Sequence, residues 1–71
     1  MSKFHKGDAV TWRWGAHQAS GEIAETFTRK VRRTIRGRQI TRKGTRKRPA
    51  YLIRQDDGSR VLKLETELSR A

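Results

Sequence analysis

Apolar residues recur at every second position through most of this chain, in short runs broken by glycine. Val10, Trp12 and Trp14 fall on one side of a first segment, and Thr11 and Arg13 on the other. In a second, Gly21, Ile23, Glu25 and Phe27 alternate with Ser20, Glu22, Ala24 and Thr26, so Ile23 and Phe27 mark its inward side. Val31 and Ile35 mark a third segment, and Ile40 a short fourth. Ala50-Tyr51-Leu52-Ile53-Arg54-Gln55 is the strongest of all, and Val61-Leu62-Lys63-Leu64 returns beside it. A period of two is the signature of strands with one buried face. Asp56-Asp57-Gly58-Ser59 is the hairpin turn between the last two, because glycine accepts positive φ and aspartate bonds its own backbone. Glu65 to Arg70 is expected to form a single helical turn with Leu68 packed beneath it.

Five to six short strands in 71 residues must form an antiparallel sheet that curls to hide its edges. The expectation is an all-β, small SH3-like barrel, a single domain over residues 1–71, with a basic hairpin and loop at 29–48 inserted within it. Three Val, four Ile, four Leu, two Trp, two Phe and one Tyr are the large apolar residues available beside Met1. A chain of this size buries only ~60% of its unfolded surface, so nearly all of them are needed for the core. An aromatic side chain here is core first. The absence of cysteine excludes a disulfide framework and a Cys-based zinc site, and the length excludes a two-domain enzyme. No apolar run approaches the ~20 residues of a membrane span, and no signal-type stretch leads the chain, so a cytoplasmic protein without a membrane partner is expected.

The formal net charge is +11, and it is confined to one stretch. Residues 1–28 balance Lys3, Lys6 and Arg13 against Asp8, Glu22 and Glu25. Residues 49–71 balance Arg54, Arg60, Lys63 and Arg70 against Asp56, Asp57, Glu65 and Glu67. Between them lie Arg29, Lys30, Arg32, Arg33, Arg36, Arg38, Arg42, Lys43, Arg46, Lys47 and Arg48, with no acid. A helix would stack like charges at i+3 and i+4 and enclose Gly37 and Gly44. Val31, Ile35 and Ile40 instead give the stretch strand character, as a twisted hairpin turning near Gly37-Arg38. Residues 43–48 read as a loop ended by Pro49.

Several motifs occur in order along the chain. They are Phe4 with Lys6-Gly7-Asp8-Ala9-Val10, Trp12-Arg13-Trp14-Gly15, and Ala19-Ser20-Gly21-Glu22-Ile23. Arg33-Thr34-Ile35-Arg36-Gly37, Pro49-Ala50-Tyr51-Leu52-Ile53 and Asp56-Asp57-Gly58-Ser59-Arg60-Val61-Leu62-Lys63 follow. Together, over residues 4–68, they resemble the hypervirulence-associated-protein Tudor-domain family of small, largely uncharacterised bacterial and fungal proteins. The resemblance implies a Tudor-like, SH3-type barrel in a bacterial cytoplasmic protein, and it implies no settled activity. Lys43-Gly44-Thr45-Arg46-Lys47-Arg48 departs from the acidic or mixed segment the family pattern has before Pro-Ala-Tyr. A function read from that cluster belongs to this chain and not to the family.

The eleven cations are the candidate site for nucleic acid or another polyanion, bound through phosphate without strong sequence preference. Arginine outnumbers lysine eight to three among them, and its fork pairs with phosphate bidentately. Arg32, Arg33, Arg36 and Arg38 would form one stripe, and Arg42, Lys43, Arg46, Lys47 and Arg48 a second. The bland alternative is a solvated hairpin whose charge prevents association. Trp14, Trp12 and Tyr51, with Phe27, are the faces available for an aromatic contact, either a cage for a methylated side chain or a stacked base. Trp14 ends its strand beside Gly15 and is the one expected to be exposed. A protein-interaction module docking an acidic or methylated peptide is the rival reading, and a small phosphate-bearing ligand such as a dinucleotide a sub-case of anion binding. Gly7, Gly15 and Gly21 form no phosphate loop, and His5 and His17 have no metal-ligand spacing. The expectation is a monomeric, non-enzymatic protein without cofactor or metal.

Overall fold

A computed structural model describes residues 4–71; Met1, Ser2 and Lys3 lie outside the described residues, and with them one of the three cations of the N-terminal segment. Seven strands run in the order β1 (Ala9–Trp14), β2 (His17–Phe27), β3 (Lys30–Ile35), β4 (Arg38–Lys43), β5 (Ala50–Arg54), β6 (Arg60–Leu64) and β7 (Ser69–Arg70). All ladders are antiparallel. Five strands form one sheet in the order β6-β5-β2-β1-β7, and β3 and β4 form a separate two-stranded ribbon. The ribbon packs against β6 without a backbone ladder, so side chains close the structure there.

The strand count exceeds the expected five to six because the C-terminus is not one helical turn. Only Glu65–Glu67 is helical, a 3-10 turn, and Ser69 and Arg70 then pair with Thr11 and Val10 of β1. Extending the sheet covers an edge that a longer helix would leave bare. Leu68 is buried as expected.

β5 joins the two halves of the core. Ala50, Tyr51, Leu52 and Ile53 are all buried, because both faces of this strand are covered. Tyr51 and Ile53 join Phe4, Val10, Trp12, Ile23 and Leu68 in one cluster. Ala50 and Leu52 join Phe27, Val31 and Leu62 in another. Full burial of a leucine or isoleucine is worth about 1.5–3 kcal/mol, so the alternating apolar run of β5 anchors both clusters at once. The Tyr51 hydroxyl donates to Glu65 Oε2 at 3.0 Å and accepts from the Phe4 N–H at 3.4 Å, so its polar end is satisfied.

Ile23 and Phe27 are both buried, but not on one side as their spacing predicts. Ile23 pairs with Ile53 and Glu25 with Leu52, which leaves Ala24 as an extra residue in the ladder. One inserted residue reverses the parity of every side chain beyond it. Ile23 therefore serves the first cluster and Phe27 the second.

Candidate nucleic-acid interface

The basic stretch folds as the expected ribbon, with a turn one residue earlier. Ile35 pairs with Arg38, and the two residues between them are Arg36 and Gly37, at φ 51° and 75°. Two successive positive φ values match the right-handed twist of a tight hairpin, which glycine adopts freely and arginine does not. Lys43 is the last residue of β4 and not loop.

Residues directly opposite in an antiparallel ladder share a face. Val31, Arg33 and Ile35 of β3 therefore lie on the same face as Ile40, Arg42 and Arg38 of β4. Lys30, Arg32 and Thr34 lie on the other face with Lys43, Thr41 and Gln39, all exposed. This parity replaces the two stripes expected from sequence. Arg32 is separated from Arg33 and Arg38, and Lys43 from Arg42.

Two of the three inner-face arginines, Arg33 and Arg42, are engaged with the protein itself. Arg33 lies 5.0 Å from the Phe27 ring centroid and 3.9 Å from Glu25 Oε2. Arg42 reaches Glu67 Oε1 at 3.4 Å; Glu67 also accepts the Leu64 N–H and meets Lys63 at 3.7 Å. Exposed ion pairs contribute only about 0–1 kcal/mol. Val31, Ile35 and Ile40, packed into the second cluster, therefore hold the ribbon down. At the turn, Arg36 meets Asp57 at 3.8 Å.

On the outer face, Lys30, Arg32 and Lys43 have no carboxylate partner among the described residues, and neither do Arg46, Lys47 and Arg48 of the following loop. That loop is a closed turn. The Thr45 N–H donates to the Arg48 carbonyl at 3.0 Å, and the Arg48 N–H to Thr45 Oγ1 at 3.0 Å. Buried Gly44 and Pro49 clamp its ends. A Cβ on Gly44 would stand 2.5 Å from the Phe27 carbonyl oxygen and 2.8 Å from the Ala50 nitrogen, so only glycine lets the loop leave β4 here. Arg29 accepts the Gly44 N–H at its carbonyl, and its guanidinium lies 5.8 Å from the Phe27 centroid. The loop follows β4 directly in the chain, and its three cations, like the three of the outer face, meet no carboxylate among the described residues.

The aromatic candidates separate sharply. Tyr51 and Trp12 are buried, at 0% and 5% exposure, and cannot offer open faces; the core claims them as the shortage of large apolar residues requires. Trp14 is 60% exposed, with its ring 5.3 Å from that of His17. It shares the inward parity of Val10 and Trp12, but β5 stops pairing with β2 at Glu22, so the β1–β2 tip overhangs the sheet. Beneath it is a cleft of about 410 Å³, walled by the three hairpin turns. Arg38, Arg60 and Lys63 line it, and of these sequence reasoning passed over Arg60 and Lys63 because each sat in a charge-balanced segment. Glu67 was passed over for the same reason. Among the described residues no group of His, Cys, Asp and Glu is arranged to hold a metal ion, and His5 meets Asp8 alone at 3.8 Å. Among the described residues no helix is long and apolar enough to cross a membrane.

Curled antiparallel strands around a divided core, with a cationic ribbon on one side, define a small all-β module of the SH3-like type. The family model described as "Hypervirulence associated proteins TUDOR domain" matches residues 7–68, and the chain belongs to that family. No curated protein and no solved structure is similar enough to count as a match. Tudor-type domains are generally binding modules rather than enzymes.

Proposed function

We propose that this protein is a non-enzymatic binding module whose ribbon and adjoining loop contact the phosphates of nucleic acid without strong sequence preference. One observation carries the reading. Lys30, Arg32 and Lys43 are gathered on a single exposed face, exposed Arg46, Lys47 and Arg48 follow in the next loop of the chain, and no carboxylate among the described residues neutralises them. Acids are available nearby, yet Glu25, Asp57 and Glu67 pair with Arg33, Arg36 and Arg42 instead. Phosphates along a polynucleotide would relieve the repulsion that the ribbon sustains when free, and counterion release would drive the association. A two-stranded ribbon also has the width to enter a major groove.

A cage for a methylated side chain has little support. Three of its four expected faces, Trp12, Tyr51 and Phe27, are in the core, and the cleft beside the fourth is rimmed by cations that repel a methylammonium group. An amide NMR titration at near-physiological salt tests the proposal, with a DNA duplex and an RNA oligonucleotide added separately. Saturable shifts on Lys30, Arg32, Lys43 and residues 46–48 are expected. Shifts confined to the β6 or β7 edge with an acidic peptide, and none with either nucleic acid, would sink it.

A further inference from the structure

Trp14 is the exposed large hydrophobic side chain of the described structure, and an indole face in water needs a reason. It stands at the overhanging β1–β2 tip with His17 beside it, the rings tilted by 42°. The cleft it overlooks has an apolar floor from Trp12, Ile35, Ile40 and Val61. Its rim carries Arg38 and Arg60, neither of which meets a carboxylate among the described residues. The acid lining the cleft, Asp57, is already held by Arg36 and by the Ser59 hydroxyl and N–H.

A ligand that satisfies this cleft must present a planar face to the indole and negative charge to two arginines. An acidic peptide meets the arginines and leaves the indole wet. A paired base is stacked on its neighbours and cannot offer its face. An unpaired base with its flanking phosphates does both, and about 410 Å³ lies within the range of small-ligand pockets. We infer that the cleft between the three hairpin turns takes an unpaired base of a single-stranded polynucleotide, stacked on Trp14, with Arg38 and Arg60 on the adjoining phosphates. This rests on the nucleic-acid reading above and deepens it. The outer ribbon holds any polyanion, whereas the cleft responds to single strands alone.

The test is equilibrium binding by fluorescence anisotropy at one fixed salt concentration. The probes are a single-stranded oligonucleotide, its duplex, an abasic strand of equal length, and a nucleoside 5′-monophosphate as competitor. Trp14→Ala is expected to weaken single-strand binding about tenfold, the usual range for one base–aromatic stack, and to leave the duplex unchanged. Trp14→Phe retains a ring and keeps most of the affinity. The wild type should hold the abasic strand about as weakly as Trp14→Ala holds the normal one, and Arg38→Ala with Arg60→Ala should weaken the single strand more than the duplex. Equal losses for strand and duplex in Trp14→Ala, or no loss, would overturn the cleft assignment while the ribbon reading stands. Displacement of the strand by a mononucleotide at comparable concentration would reassign the cleft to a small ligand. Absence of binding to strand and duplex alike would remove both readings together.

Discussion

Lys30 and Lys43 stand directly opposite each other across the β3–β4 ladder, both exposed. Like charges in that position destabilise a sheet, and an opposite-charge pair there contributes about 0.2–1 kcal/mol. Lys43→Glu should therefore raise the stability of the free protein by about 0.5 kcal/mol and weaken its binding to polynucleotides. Urea denaturation and binding isotherms on the same variant check the two effects. A variant that is more stable and binds equally well would mean that this face is not the contact surface.

Arg36 occupies a left-handed conformation, at φ 51°, that costs a side-chain-bearing residue roughly 1 kcal/mol. Asparagine tolerates it better and is favoured before glycine in such turns. Arg36→Asn gives up only an exposed pair to Asp57 and should stabilise the protein by about 0.5 kcal/mol. Thermal denaturation reads the sign directly, and a loss larger than that would show the Arg36–Asp57 pair to be worth more than exposed pairs generally are.

Gly44→Ala should be among the most damaging single-methyl changes in the chain. The new Cβ would meet backbone atoms of Phe27 and Ala50 and not a flexible side-chain end, so β2, β4 and β5 would have to part. A loss of about 2 kcal/mol or more is expected, in the range of overpacked cores. Amide exchange should quicken first at Gly44 and Thr45, whose N–H groups bond Arg29 and Arg48. Protection unchanged at both would contradict the close approach.

The Ser59 hydroxyl donates to Asp57 Oδ1 at 2.6 Å, and this bond chiefly holds the Asp57 carboxyl below the ordinary aspartate range. The Ser59 N–H and the charge of Arg36 push the same way. Because the folded pKa is the depressed one, the stabilisation is present above the unfolded pKa, about 3.9, and is lost as pH falls through the folded value. Ser59→Ala should move the Asp57 carboxyl back toward the ordinary range in an NMR side-chain titration and flatten the acid limb of stability against pH. An Asp57 carboxyl that titrates in the ordinary range in the wild type would show that the hydroxyl bond does not form in solution.

What was legible in the sequence was what local chemistry dictates. Alternation marks β1 to β6 but not β7, Asp57-Gly58 marks a turn, and the lack of acids at 29–48 marks the ribbon. What was not legible came from pairing across the chain. The extra residue at Ala24 divides Ile23 from Phe27 and leaves no mark in composition. The ladder decides that Arg32 and Lys43 share a face while Arg33 turns inward onto Phe27. Arg60 looked neutralised by nearby acids in the count of charges, yet it rims the cleft without a carboxylate partner among the described residues. Charge balance along a sequence is not charge pairing in space.

The central claim is that the outer face of the ribbon contacts phosphate. Its most direct test is the salt dependence of binding to a single-stranded oligonucleotide, for the wild type and for a Lys30→Ala, Arg32→Ala, Lys43→Ala triple variant. Each phosphate contact contributes about 0.7 to the slope of log K against log salt. The account predicts a wild-type affinity that falls steeply with salt and a slope flatter by about 2 in the triple variant. An unchanged slope in a variant that remains folded would place the contacts elsewhere and contradict the account.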